Sequence, residues 1–449
     1  MPEDVYGLPL TTESAVAARH MSDATASFNH WRTDVMDHVN AALEADPDFP
    51  MAHAFRGLFL GGGRHVKYLG VMRDSLAKAE AGADAVSERE RSYIEALQHM
   101  VAGRNDGAAE AYDRLLQAHP TDILGHRIAQ NELFWMGRAD DMRALVERAA
   151  PAWSENTPGC SLFLSVRAFS NEEGLQYADA ERYGRAAIER DPTDAWGAHA
   201  VAHALLMQDR IDDGVAWLEP LSGNWAGLNQ IVHHNWWHLC VFLLERGEHE
   251  RILGLYDDQV RNPESPLVKA MPDVYIDLQN AASLLLRLEL RGVDVGARWR
   301  GLVEPAEGRI GNHASPFTDA HAAMILAAAG EFAKADELVA SMRAFAAEDR
   351  GPLGRATAGA SLPSAVASIA HRKGEHEAVL AALLPARPTM PSMGGSHAQR
   401  DIFYQILVDS CRKLGRKAEL QEVLSDIGRI GFEHVAERTL YADAARLAS

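Results

Sequence analysis

The chain has 449 residues, 47% of them hydrophobic, and its 63 acidic against 44 basic side chains leave a formal charge of −19. That balance argues against a nucleic-acid partner, which needs a basic stripe to meet phosphates; no signal peptide or membrane-length apolar run is read, so a cytoplasmic chain without a membrane partner is expected. Cys160, Cys240 and Cys411 lie far apart and form no C-x-x-C pair, which points to neither a disulfide framework nor a thiolate zinc site.

In chain order, a first helical pattern ends at Leu43-Glu44-Ala45-Asp46-Pro47, and the same ending returns at Leu116-Gln117-Ala118-His119-Pro120 and Ile188-Glu189-Arg190-Asp191-Pro192. The prolines are 73 and 72 residues apart. Half of either spacing is about 36, near the roughly 34-residue tetratricopeptide period. Ala108 and Tyr112 stand where that motif has a small residue and an aromatic, and Ala180 with Tyr183 repeats the pair with the aromatic displaced by one. A small residue lets the two helices of a hairpin approach closely, and proline suits a helix boundary because its missing N–H and fixed φ cost nothing there.

Gly137, Gly247, Gly330, Gly374 and Gly415 each close a helical run and predict a tight turn, since glycine takes the left-handed C-cap without a Cβ penalty. Between these marks the apolar residues recur at three and four, as in Leu239, Phe242 and Leu243, rather than alternating. The expected fold is all-α: one tetratricopeptide-type superhelical solenoid domain over 1–449, of roughly a dozen helix pairs. Residues 384–396, with Pro385, Pro388, Pro391 and Gly394-Gly395, cannot form one helix and are expected as an irregular loop leading to the concave side.

Twenty histidines is the unusual count, and four of them form two H-x3-H pairs: His199 with His203, and His234 with His238. Residues at i and i+4 share a helix face, so each pair can turn two imidazoles toward one ion. The competing reading is hydrogen-bonded packing, and neither pair has the glutamate of H-E-x-x-H, so a zincin mechanism is not indicated. Trp196, Trp217, Trp225, Trp236 and Trp237 bracket the histidines; they are packing residues or the aromatic walls of a pocket. Asp319, near His321, reads as an N-terminal helix carboxylate or a groove residue. Ser396 is an expected N-cap followed by His397, Gln399, Arg400 and Asp401 within one turn, which reads alternatively as a capped helix start with a surface Arg–Asp pair.

The run Asp194-Ala195-Trp196-Gly197-Ala198-His199-Ala200-Val201-Ala202-His203, with His234-Asn235-Trp236-Trp237-His238 and Gly395-Ser396-His397-Ala398-Gln399-Arg400-Asp401, resembles the tetratricopeptide repeat protein 38 family over nearly the whole chain. The resemblance implies an intracellular superhelical repeat protein and makes these histidines, Gln399, Arg400 and Asp401 family features; it supplies no reaction. Tetratricopeptide likeness further implies that at least three of the four paired histidines face a concave groove.

The expected function is an enzyme or small-molecule-binding metalloprotein carrying out metal-assisted hydrolysis or lyase chemistry on a small polar molecule. His199, His203, His234 and His238 are the candidate ligands of a zinc or iron ion that polarises a carbonyl or activates water. His397, Arg400 and Asp401 are the candidate catalytic groups, with Arg400 holding an anionic group of the substrate and His397 and Asp401 the alternate ligands. Trp196, Trp237, Gln399 and Asp319 are candidate binding residues. Two alternatives stay open: a metal-free acid/base enzyme using the same residues, and an adaptor whose groove takes a peptide or partner protein. A homodimer is also left open.

Overall fold

The structure is a computed structural model that describes residues 1–348 and 350–448. Among these residues there is no β-strand, only the isolated bridges Glu3–Pro9 and Arg32–Leu228, and the helices follow one another in consecutive pairs. No described helix is long and apolar enough to cross a membrane. The chain divides into two compact units, one of residues 1–200 with 224–231 and one of residues 201–223 with 232–449.

In the first unit the pairs are Ala15–Asn29 with Val35–Ala45, Pro50–Gly61 with Leu69–Ala81, Glu88–Val101 with Asn105–Ala118, Ile123–Trp135 with Ala139–Ala149, and Cys160–Glu173 with Tyr177–Arg190. Two pairs therefore occupy the interval between Pro47 and Pro120, as the halved spacing predicts, and all three repeat prolines fall between helices. Ala108, Tyr112, Ala180 and Tyr183 are buried. The repeat prolines also explain two histidines. His53 and His126 each donate Nε2–H to the carbonyl of the proline six residues earlier, at 2.8 and 2.9 Å, satisfying an oxygen stranded in the turn. Burial pulls the His126 imidazole down to about 4.

The second unit continues the pattern. The Ala195–Met207 helix starts in the first unit and ends in the second; Ile211–Leu221, Ile231–Glu245, His249–Leu255, Tyr275–Glu289, Pro316–Ala328, Phe332–Ala347, Leu362–Lys373, His376–Ala386, His397–Leu414, Lys417–Arg429 and Thr439–Ala448 follow. All five turn glycines adopt positive φ, between 67° and 84°. Leu175 and Asp209, at φ 60° and 59°, hold the same position in pairs that lack the glycine, so those turns left no mark in the sequence.

Residues 384–396 are not one helix, as expected, yet they are not an irregular loop. The His376–Ala386 helix runs through Pro385, a 3-10 helix spans Arg387–Met393, and the chain then turns at Gly394 and Gly395, both at positive φ. Pro388 opens the 3-10 helix, where a missing N–H is harmless.

Candidate metal centre

In the second unit the Ile231–Glu245 helix carries His234 and His238 one turn apart, and His203 comes from the Ala195–Met207 helix. The His203 and His238 rings are 4.3 Å apart at their centres, His234 and His238 4.7 Å, and His203 and His234 6.5 Å. One ring nitrogen from each of the three lies within 4.8 Å of the others. Nitrogens bound to one zinc at 2.0–2.1 Å sit about 3.4 Å apart at the tetrahedral angle, so side-chain adjustments of about an ångström bring the three onto one ion. All three residues are buried. His199 lies one helical turn before His203; in the first unit its ring stacks on Trp196 at 4.5 Å and meets Phe169 at 5.1 Å.

The Tyr275–Glu289 helix supplies what the sequence reading missed. His234 donates Nδ1–H to Asn280 Oδ1 at 2.9 Å, which leaves Nε2 with its lone pair, the state a metal ligand needs. Burial also drives the His234 imidazole down to about 3, so it is neutral at every ordinary pH. One turn earlier on the same helix, Asp277 Oδ1 accepts Nδ1–H of His233 at 3.0 Å. A carboxylate and an amide at i and i+3 on this helix, which share one face, were the available sign of this.

Trp237 forms a wall of the site, parallel to His234 at 5.4 Å and edge-on to His238 at 4.8 Å. Trp196 belongs to a separate stack in the first unit, against Trp31 at 4.9 Å, with the Arg127 guanidinium 5.4 Å from both indoles.

The groups at the start of the His397–Leu414 helix have mixed assignments. Gln399 is spent on a capping box: its N–H donates to Ser396 Oγ at 3.1 Å and its Oε1 accepts Ser396 N–H at 2.9 Å. Arg400 donates to His397 Nδ1 at 3.1 Å and to Gly395 O. Arg400 and Asp401 are both buried rather than on the surface, and Asp401 accepts Tyr441 O–H and Gln405 Nε2–H, with Arg287 at 3.6 Å. Asp319, in the first turn of the Pro316–Ala328 helix, accepts His313 Nδ1–H at 2.9 Å.

Arg287 joins the two groups. Its guanidinium lies 5.6 Å from the Trp237 ring centre, donates to Ala398 O at 2.8 Å, and lines a small cleft with Glu245, Arg291, Asp401, Gln405 and Tyr441.

No protein-family model matches the chain.

Proposed function

We propose that this chain is a metal-dependent enzyme, built as a tetratricopeptide-type solenoid like the proteins of the tetratricopeptide repeat protein 38 family, and that His203, His234 and His238 hold one zinc or iron ion. The observation that carries the reading is the convergence of three imidazoles within one unit, with the Nδ1–H of His234 committed to Asn280.

A set of three protein nitrogens leaves a coordination position open, which is the pattern of catalytic rather than structural zinc. An ion held there would polarise a carbonyl or activate water, which supports hydrolysis or lyase chemistry on a small polar molecule. In this reading the chain's own parts divide the work. Asn280 fixes the tautomer and direction of His234, Trp237 shuts water away from the rings, and Arg400, braced on His397, holds an anionic group of the substrate.

Elemental analysis of full-length protein purified without a histidine tag tests the reading. One zinc or iron per chain is expected, falling to background in His203→Ala and His238→Ala with helical circular dichroism unchanged. A wild-type chain that takes up neither metal on incubation refutes it.

A further inference from the structure

Two nitrogen donors border the candidate centre with nothing to donate to. Trp237 Nε1 and Asn280 Nδ2 have no hydrogen-bond partner among the described residues, although Trp237 is 0% and Asn280 1% exposed. A buried donor without an acceptor is costly, so two beside one histidine are an unfavourable arrangement unless a ligand answers them. Both belong to groups in direct contact with His234: the indole stacks on its ring, and the Asn280 amide accepts its Nδ1–H through the oxygen, leaving the NH2 side open.

The charge of the site points the same way. An ion held by three imidazoles keeps its full positive charge, while the Arg287 guanidinium, 5.6 Å from the indole centre, is paired with Asp401 at 3.6 Å. The carboxylate one turn before Asn280, Asp277, is engaged by His233. Two N–H donors in a dry surrounding select an oxygen acceptor, and the bond to a charged acceptor is the stronger one.

Resting on the metal reading above, we infer that the ligand of this centre is a small oxyanion, a carboxylate or phosphate group, received by the N–H of Trp237 and the NH2 of Asn280 beside the ion. Trp237 and Asn280 are then its specificity determinants.

The test uses the full chain loaded with cobalt(II), with acetate and inorganic phosphate as probes. At least one probe is expected to shift the visible cobalt spectrum saturably. Trp237→Phe keeps the aromatic wall without the N–H, and Asn280→Asp keeps the acceptor for His234 while replacing the donor with a negative charge. Each variant is expected to hold cobalt within about threefold of wild type and to bind the probe at least tenfold more weakly. Cobalt binding with no response to either probe overturns the inference and leaves the metal reading standing, as does unchanged probe affinity in both variants. If no cobalt binds, calorimetry of the metal-free chain decides. Probe binding that Trp237→Phe weakens tenfold keeps the oxyanion site and removes the metal, whereas no probe binding refutes both.

Discussion

Asn280 Oδ1 accepts the Nδ1–H of His234 at 2.9 Å, across 46 residues of sequence, and this one hydrogen bond decides which nitrogen of the imidazole is left to bind an ion. Asn280→Leu, which keeps the volume and removes the acceptor, should lower metal affinity by roughly ten- to a hundredfold. Asn280→Asp should restore it, because a carboxylate accepts the same proton. Competition with a chromophoric chelator measures both; equal affinity in Asn280→Leu and wild type would mean that His234 is not a ligand.

Stability should fall with acid in a way that two buried histidines control. Burial holds His126 and His321 at about 4 in the folded chain, against about 6.5 in an unfolded one. The unfolded state then binds more protons between these values, so the contribution of each is complete above about pH 6.5 and is lost as pH drops toward 4, on the order of 3 kcal/mol apiece. Urea midpoints at pH 7.5, 5.5 and 4.5 should fall less steeply in His126→Gln and His321→Gln than in wild type. Parallel slopes would show that neither histidine is held neutral by the fold.

Gly214 and Gly254 make a matched pair. A Cβ on Gly214 would lie 2.2 Å from ring carbons of Phe242, a fully buried side chain, whereas one on Gly254 meets nothing within 4 Å. Alanine gains up to about 1 kcal/mol in helix propensity at either site, but overpacking costs about 1–3 kcal/mol at the first. Gly214→Ala should therefore be destabilised by about 1–2 kcal/mol, and Gly254→Ala should be neutral or slightly stabilised. Chemical denaturation checks this, and a Gly214→Ala chain as stable as wild type would contradict the close approach of these helices.

Tyr441 anchors the Thr439–Ala448 helix by donating its hydroxyl to Asp401. Tyr441→Phe removes a hydrogen bond to a buried carboxylate that keeps Gln405 and Arg287, so a loss near the lower end of about 1.5–3 kcal/mol is expected. Hydrogen exchange should show the last helix opening more readily than in wild type. Unchanged exchange there would mean that other contacts hold this helix, such as the bond from Thr439 N–H to Glu245.

What the sequence determined by itself is local. Glycine at positive φ closes a helix wherever it stands, so Gly137, Gly247, Gly330, Gly374 and Gly415 could be read directly. Proline between helices gives the repeat spacing, and an i to i+4 spacing places His234 and His238 on one face of a helix whatever that helix packs against. Turns made by Leu175 and Asp209 could not be read, because those side chains reach positive φ only when the packed helices on either side hold them there.

Tertiary structure alone decided which helix meets which face. Within the second unit packing brings His203 to His234 and His238, and within the first it lays His199 on Trp196. It sets Asn280 and Asp277 against neighbouring histidines, and it brings the Tyr441 hydroxyl to Asp401. Each choice rests on the register of two packed surfaces. A shift of one residue on an α-helix turns a side chain by about 100°, so a partner dozens of residues away is fixed by the packing of both helices and not by the local spacing of either.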